Sequence, residues 1–261
     1  MAEPQFYRKE ADGVLEFVIN RPEKYNACSW EILNGWAQAV EDLRDRDDLR
    51  VLLIRSNGKF FSSGYDLAVV TTPDLKGSHS AFRRVYRKNG QHDTLDAFEA
   101  VEKPIIVAHQ GPCLGGSLEM SLSCDFRIAG RAARYGMPEI DMGFIPGSGG
   151  TSRLVRQIGP HWARWMIMSG EQVDADWALN AGLVHQVVDD EALEETAWRI
   201  ARRLAKRPPE AMAAARLAIE LAQDLDRGQA RNIERILNAQ LNFGEEHKGL
   251  MAALRAKHGL S

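Results

Sequence analysis

The chain has 261 residues, of which 44% are hydrophobic and 26% charged, and its formal net charge is −3. These values exclude an intrinsically disordered chain, and the near-neutral charge excludes a general affinity for nucleic acid. The sequence contains no apolar run of about 18 residues that would cross a membrane and no secretory signal pattern at its N-terminus. We therefore expect a folded cytoplasmic protein with no nucleic-acid partner and no membrane partner.

The cysteines and histidines show no metal-binding pattern. Cys28, Cys113 and Cys124 are an odd number of cysteines without ligand-like spacing, and the seven histidines form no HExxH motif. Free, buried thiols in a reducing compartment explain the cysteines best. The sequence therefore predicts no metal site.

Residues 1–190 alternate between strand patterns and helix patterns. The strand patterns, which are short runs of β-branched and apolar residues, cover 14–20, 50–56, 104–111, 124–130 and 181–188. One helix is predicted to follow Ser29, a favourable N-cap, because apolar residues then recur at spacings of three and four. Another is predicted from about residue 81 to 101. This alternation predicts an α/β core.

From residue 191 to 261 only helix patterns follow. Three consecutive patterns are separated by breakers at Pro208–Pro209 and at Gly228. The change of pattern predicts a helical C-terminal region after the α/β core. Because the apolar stripes exceed what this short region can cover by itself, we expect it to pack against a neighbouring subunit.

Common nucleotide and hydrolase motifs are not matched. "SNGKF" lacks the upstream glycine of a P-loop, and "GFIPGSGG" does not fit GxGxxG. "GGSLE" matches four of the five letters of the nucleophile elbow GxSxG. Glu119 stands where the last glycine is required, which disfavours Ser117 as a nucleophile.

Two glycine-containing loops each follow a strand pattern. In "GGSLEMSLSCD" (115–125), Gly115 and Gly116 open a helix and leave backbone N–H groups unpaired, which suits a carbonyl oxygen that gains negative charge. A tight turn whose backbone angles require glycine would explain Gly115 and Gly116 equally well. In "FFSSGYDL" (60–67), Gly64 permits an unusual turn, and the N–H of Tyr65 would supply a second donor.

Two glutamates accompany these loops. Glu119 lies three positions after Gly116 among apolar residues, where an unpaired carboxylate is costly, and Glu139 follows twenty positions later. A carboxylate pair without metal ligands suits general acid and base catalysis. The helix dipole also favours Glu119, and Glu139 is equally compatible with an exposed loop. Sequence spacing alone does not bring the two side chains together.

Four segments in this order resemble the crotonase superfamily, most closely the enoyl-CoA hydratases. They are "INRPEKYNACS", "FFSSGYDL", "GPCLGGSLEMSLSCDFRIAG" and "YGMPEIDMGFIPGSGGTSRLVRQIG", and the likeness extends from about residue 6 to residue 250. The resemblance implies an α/β fold, a crotonase-like spiral of ββα repeats with a helical C-terminal trimerisation region. It also implies a homotrimer, often paired into a hexamer.

The resemblance assigns roles to the two loops and the two glutamates. It implies an acyl-CoA substrate whose thioester oxygen binds the backbone N–H groups of Tyr65 and Gly116, with no separate cofactor because coenzyme A is part of the substrate. Glu119 matches the carboxylate that orients or deprotonates the water attacking C3. Glu139 matches the one that exchanges the proton at C2. Further contacts to substrate or coenzyme A are expected from Lys24, Ala27, Asp66, Leu67, Ala68 and Gly115.

The same resemblance leaves alternatives open. Enoyl-CoA isomerases and hydratase-lyases share the scaffold, and a non-catalytic relative would bind acyl-CoA, RNA or a protein. Two glutamates favour hydration, since isomerases and hydrolases of the superfamily usually replace one or both. Tyr65 is larger than the residue common at its position, which predicts a reshaped pocket. Members of the superfamily differ most in the pocket wall, here residues 68–100, so the resemblance does not define the length or the substituents of the acyl chain.

Overall fold

A computed structural model of the chain describes residues 3–67 and 90–258. Two compact units are present, Met1–Ala205 and Lys206–Ser261. The predicted domain boundary after residue 190 stays a prediction. No helix in the described part of the chain is both long and apolar enough to cross a membrane.

The first unit is built on a six-stranded sheet and a small three-stranded one. The strands are β1 (Phe6–Ala11), β2 (Val14–Ile19), β3 (Val51–Ser56), β4 (Ile105–His109), β5 (Cys113–Leu114), β6 (Phe126–Gly130), β7 (Arg134–Gly136), β8 (Val173–Asp174) and β9 (Gln186–Val188). The large sheet has the order β1-β2-β3-β4-β6-β9, with β1 antiparallel to β2 and the remaining pairs parallel. Strands β2 and β4 are buried along their whole length, which explains why they are apolar apart from Glu16 and His109.

Helices cover both faces of the large sheet. They are α1 (Trp30–Asp45), α2 (Gln91–Ala100), α3 (Gly116–Leu122), α4 (Gly150–Ser169), α5 (Ala175–Asn180) and α6 (Leu193–Ala205). Ser29 caps α1 as predicted, because its hydroxyl accepts a bond from the Ile32 N–H at 3.3 Å. On the other face, the buried Trp198 of α6 donates its indole N–H to Glu16 at 2.9 Å.

The second unit consists of consecutive helices, as predicted. They are α7 (Pro209–Asp224), α8 (Arg227–Phe243) and α9 (Glu245–His258). The predicted break at Gly228 is wrong, because Gly228 lies in the first turn of α8. The preceding Asp226 is the N-cap, and its carboxylate accepts the N–H groups of Gly228 at 2.7 Å and Gln229 at 3.0 Å. The cap satisfies these N–H groups, so a glycine is tolerated there.

Other sequence predictions differ in detail. The last predicted strand shortens to β9, because residues 181–185 form the turn that ends α5. Of the helix expected over 81–101, residues 81–89 lie outside the described residues. Helix α4, which was not predicted, contains a kink at Gly159 before Pro160 that interrupts its pattern. The three cysteines are free and buried, as expected.

Candidate active site

A cavity of about 720 Å³ brings the sequence-predicted site residues together. Its wall includes Lys24, Ala27, Tyr65, Asp66, Leu67, Gly115, Gly116, Glu119 and Glu139. Ala68, the remaining predicted contact, lies outside the described residues. The segments that form this wall are far apart in sequence, so the fold itself creates the cavity.

One lip of the cavity is the loop after β2. Tyr25 and Asn26 adopt the left-handed conformation, with φ of 51° and 54°. Asn26 is fully buried, and its amide donates to the carbonyls of Asn57 and Phe60, both at 2.7 Å. Asparagine tolerates this conformation better than most residues do. The loop therefore has a fixed shape that places Lys24 and Ala27 at the cavity.

The two glycine loops lie directly against each other. Ser62 and the residues around Cys113 form a parallel bridge, in which the Leu114 N–H donates to the Ser62 carbonyl at 3.0 Å. Gly64 has a φ of +100°, and a Cβ there would stand 3.0 Å from the Leu114 carbonyl oxygen. Only glycine fits such a close approach. The two loops, which are far apart in the sequence, therefore form one structural unit.

Two backbone N–H groups of this unit have no acceptor in the described part of the chain. The surrounding bonds use the N–H groups of Gly64, Asp66 and Gly115. Those of Tyr65 and Gly116 have no acceptor among residues 3–67 and 90–258. Unpaired donors of this kind are suited to bind an oxygen that gains negative charge.

Glu119 projects from the first turn of α3 and is only 3% exposed. Its Oε1 accepts the N–H groups of Ser148 at 2.7 Å and Gly150 at 3.2 Å. Burial raises the pKa of Glu119, whereas these two bonds and the charge of Arg153 oppose the rise. Since no described residue binds Oε2, that oxygen is available to a ligand.

Arg153 of α4 holds the segment that binds Glu119. Its guanidinium is buried, and Nη1 donates to the Ser148 carbonyl at 2.8 Å. Nη2 pairs with Asp96 at 2.9 Å and Glu99 at 2.7 Å, so α2 is joined to the same network. The Ser148 N–H is thereby aimed at the Glu119 carboxylate.

Replacing this guanidinium should loosen the Glu119 support. We expect Arg153→Met to lower kcat about tenfold and the free energy of unfolding by about 1–3 kcal/mol, because the Ser148 carbonyl loses a charged donor. Thermal unfolding and steady-state kinetics measure the two effects. Arg156→Met, at an exposed position of the same helix, is the control. Equal kinetics for both variants would contradict the positioning role.

Glu139 lies in the short 3-10 helix Pro138–Met142 and is 4% exposed. A Cβ on Gly115 would stand 2.9 Å from its Oε1, so the carboxyl group rests on that glycine. Its Oε2 is buried without a hydrogen-bond partner in the described part of the protein. Burial raises the pKa of Glu139 to about 7, opposed by its own backbone N–H and assisted by the Glu119 charge.

The two carboxylates therefore flank the same short turn in different environments. Glu119 is held by two backbone donors, whereas Glu139 has one oxygen without any donor. Carboxylates whose surroundings separate their proton affinities are typical of acid and base pairs. The arrangement can hold one proton on Glu139 while Glu119 acts on a polar molecule beside it.

Several residues of the site were missed by the sequence reasoning. Ser148, Gly150 and Arg153 lie in a segment that carries the resemblance, but no role was assigned to them, because that role depends on the fold that brings α4 to α3. Cavity-lining residues without a polar or spacing signal were missed as well, namely Gln91, His92, Met142, Phe144 and Ile145. The glycine-dense segment "GFIPGSGG" was the available clue, and its backbone donors are what Glu119 uses.

Comparisons with known proteins point in one direction. The model of the enoyl-CoA hydratase/isomerase family matches residues 9–255. A 2,3-dehydroadipyl-CoA hydratase of Escherichia coli (strain K12) is 34% identical over 94% of this chain and 93% of its own. A short-chain-enoyl-CoA hydratase of Clostridium acetobutylicum is 32% identical over 95% and 94%.

A solved structure gives the same result for the fold. The crystal structure of an enoyl-CoA hydratase from Bacillus anthracis is 29% identical, has a TM-score of 0.88 and covers 97% of this chain and 96% of that chain. The predicted α/β crotonase-like fold with a helical C-terminal region is confirmed. The role of that region in trimers stays a prediction.

Proposed function

The chain belongs to the enoyl-CoA hydratase/isomerase family, and we propose that it reversibly adds water across the 2,3 double bond of a 2-enoyl-CoA thioester. The observation that carries this proposal is that Glu119 and Glu139 line one cavity beside the Gly115–Gly116 turn, next to two backbone N–H groups that have no acceptor among the described residues. Hydration of a conjugated thioester requires both a charge-stabilising site and a proton-transferring pair.

The free N–H groups of Tyr65 and Gly116 would bind the thioester oxygen. Attack of water at C3 moves charge onto that oxygen, which becomes an enolate. Two preorganised donors at this position would each lower the barrier by about 3–4 kcal/mol. The neighbouring lip with Lys24, Ala27 and Asp66 would receive the coenzyme A part, with Lys24 near its phosphates.

Glu119 and Glu139 would divide the proton transfers between them. Glu119, fixed through Oε1, would bind the water through Oε2 and accept its proton as C3 is attacked. Glu139, with a pKa of about 7, is protonated in a large share of the molecules at neutral pH, and in its protonated form it would deliver the proton to C2. In dehydration each group performs the reverse step.

This division predicts how the rate depends on pH. The pair carries one proton before hydration, on Glu139, and one proton afterwards, on Glu119. Because both directions need the singly protonated pair, kcat/KM should fall about tenfold per pH unit above pH 7 in hydration and dehydration alike. Rates measured with crotonyl-CoA and with 3-hydroxybutyryl-CoA test this. Opposite slopes in the two directions would contradict it.

The activity itself is tested by following the absorbance of the enoyl thioester. Crotonyl-CoA and longer 2-enoyl-CoA esters should lose this absorbance, and the fastest ester would define the acyl chain. An isomerase would instead convert a 3-enoyl-CoA to the conjugated ester and leave crotonyl-CoA unchanged. Acyl-CoA binding without any turnover would favour a non-catalytic relative. A homotrimer or hexamer and a cytoplasmic location complete the proposal.

A further inference from the structure

The phenol of Tyr65 is a polar group that the proposed mechanism does not yet use. Its ring lies on Gly116, since a Cβ there would stand 2.0 Å from Cε2, 2.1 Å from Cδ2 and 2.8 Å from Cζ. The hydroxyl, which is attached to Cζ, continues past Gly116. Glu119 lies on the same face of α3, three positions later. The phenol therefore reaches toward the Glu119 carboxylate.

The hydroxyl group of Tyr65 is buried beside the Ser148 side chain. Within residues 3–67 and 90–258 it makes no hydrogen bond of normal geometry. Burial raises the pKa of Tyr65 well above its usual value, the charge of Glu119 adds to the rise, and the Ser148 side chain opposes it. The phenol therefore stays protonated at neutral pH and can donate.

Tyr65 and Glu139 both belong to the wall of one cavity, which Glu119 lines as well. Tyr65 Oη and Glu139 Oε2 are buried in this wall, and neither has a hydrogen-bond partner among the described residues. A buried polar atom without a partner costs about 1–3 kcal/mol. Two such atoms, on side chains that rest on the adjacent glycines Gly116 and Gly115, indicate that a bound ligand supplies the missing polar groups.

We propose that the Tyr65 hydroxyl donates a hydrogen bond to the oxygen at C3, in the attacking water and in the 3-hydroxyl group of the product. This assignment rests on the proposed hydration. The N–H of the same residue would bind the thioester oxygen, so Tyr65 would contact both ends of the reacting unit. In dehydration the bond stabilises the charge that develops on the departing oxygen. The phenol keeps its proton throughout.

Tyr65→Phe tests the hydroxyl while keeping the ring on Gly116. Binding is measured by calorimetry with 3-hydroxybutyryl-CoA and with butyryl-CoA, which lacks the hydroxyl. We expect the variant to lose about tenfold of its preference for the hydroxylated ligand, to bind butyryl-CoA as before, and to lower kcat for crotonyl-CoA about 10- to 100-fold at unchanged KM.

The control is Tyr7→Phe, which removes a hydroxyl group from the partly exposed strand β1. It should change neither the preference for 3-hydroxybutyryl-CoA over butyryl-CoA nor kcat for crotonyl-CoA. An unchanged ligand preference in Tyr65→Phe overturns the inference. An equal loss of affinity for both ligands also overturns it, because the side chain would then act by its shape and not by its hydroxyl group. A lowered melting temperature of Tyr65→Phe would show that the hydroxyl group is hydrogen-bonded within the protein, and this result would overturn the inference as well. Wild-type protein that does not hydrate crotonyl-CoA or any longer ester refutes the proposed function and the inference together.

Discussion

Glu119→Gln and Glu139→Gln should each lower kcat for hydration of the best 2-enoyl-CoA ester by about 10²–10⁴-fold, with nearly unchanged acyl-CoA affinity. Glutamine at 119 can still accept the Ser148 and Gly150 N–H groups, but it cannot take a proton from water. Glutamine at 139 cannot deliver a proton to carbon. Neither change disturbs the N–H groups of Tyr65 and Gly116.

Steady-state kinetics and calorimetry with a saturated acyl-CoA measure the two quantities. Glu102→Gln, at an exposed position, is the matched control and should behave as wild type. Glu139→Gln should also raise the melting temperature at pH 8. Burial raises the pKa of Glu139 to about 7, so the stability that its protonated form provides is lost as the pH rises from about 4.5 to about 7 and is absent at pH 8. Full turnover in either active-site variant would refute its assigned role.

Gly116→Ala should lower kcat/KM by about 10²-fold or more. Its Cβ would stand 2.0 Å from Cε2 of Tyr65, so the ring has to move, and with it the backbone N–H beside the thioester oxygen. Small displacements of a reacting group cost this much. In a Tyr65→Ala background the ring is absent, so Gly116→Ala should lower kcat/KM far less.

A double-mutant cycle of these variants measures the coupling between the two positions. Gly249→Ala, a helical position where a Cβ meets nothing within 4 Å, controls for the substitution itself. If Gly116→Ala costs the same with and without the tyrosine ring, the damage does not pass through Tyr65. The proposed oxyanion geometry at these two residues would then be wrong.

The α/β core was predictable because its central strands are buried on both faces. Such strands read as largely apolar runs, and β2, β3, β4 and β6 do so, although β2, β3 and β6 each contain one charged residue. The edge strand β1 consists of exposed and half-buried residues in equal number and gave a weaker signal. Strands of two or three residues, such as β5 and β8, depend on their neighbours and leave almost no pattern of their own.

The candidate site was predictable only in part. The residues around Glu119 indicated a buried carboxylate, and its 3% exposure agrees. Only the resemblance implied that Glu119 and Glu139 share one site, because a separation of twenty positions in the sequence does not define the distance between two side chains. The support by Ser148 and Arg153 is a product of tertiary packing between α3 and α4. The lack of a protein partner for the Tyr65 hydroxyl likewise became visible only in three dimensions.

The most direct test of water addition is to run the reaction in oxygen-18-labelled water. Mass spectrometry of the product from crotonyl-CoA, or from whichever ester turns over fastest, should find 3-hydroxyacyl-CoA carrying the label at C3. In the same reaction time, Glu119→Gln should form at least about 100-fold less labelled product. If wild-type protein yields no labelled hydroxyacyl product from any 2-enoyl-CoA ester, Glu119 and Glu139 do not form a hydrating pair.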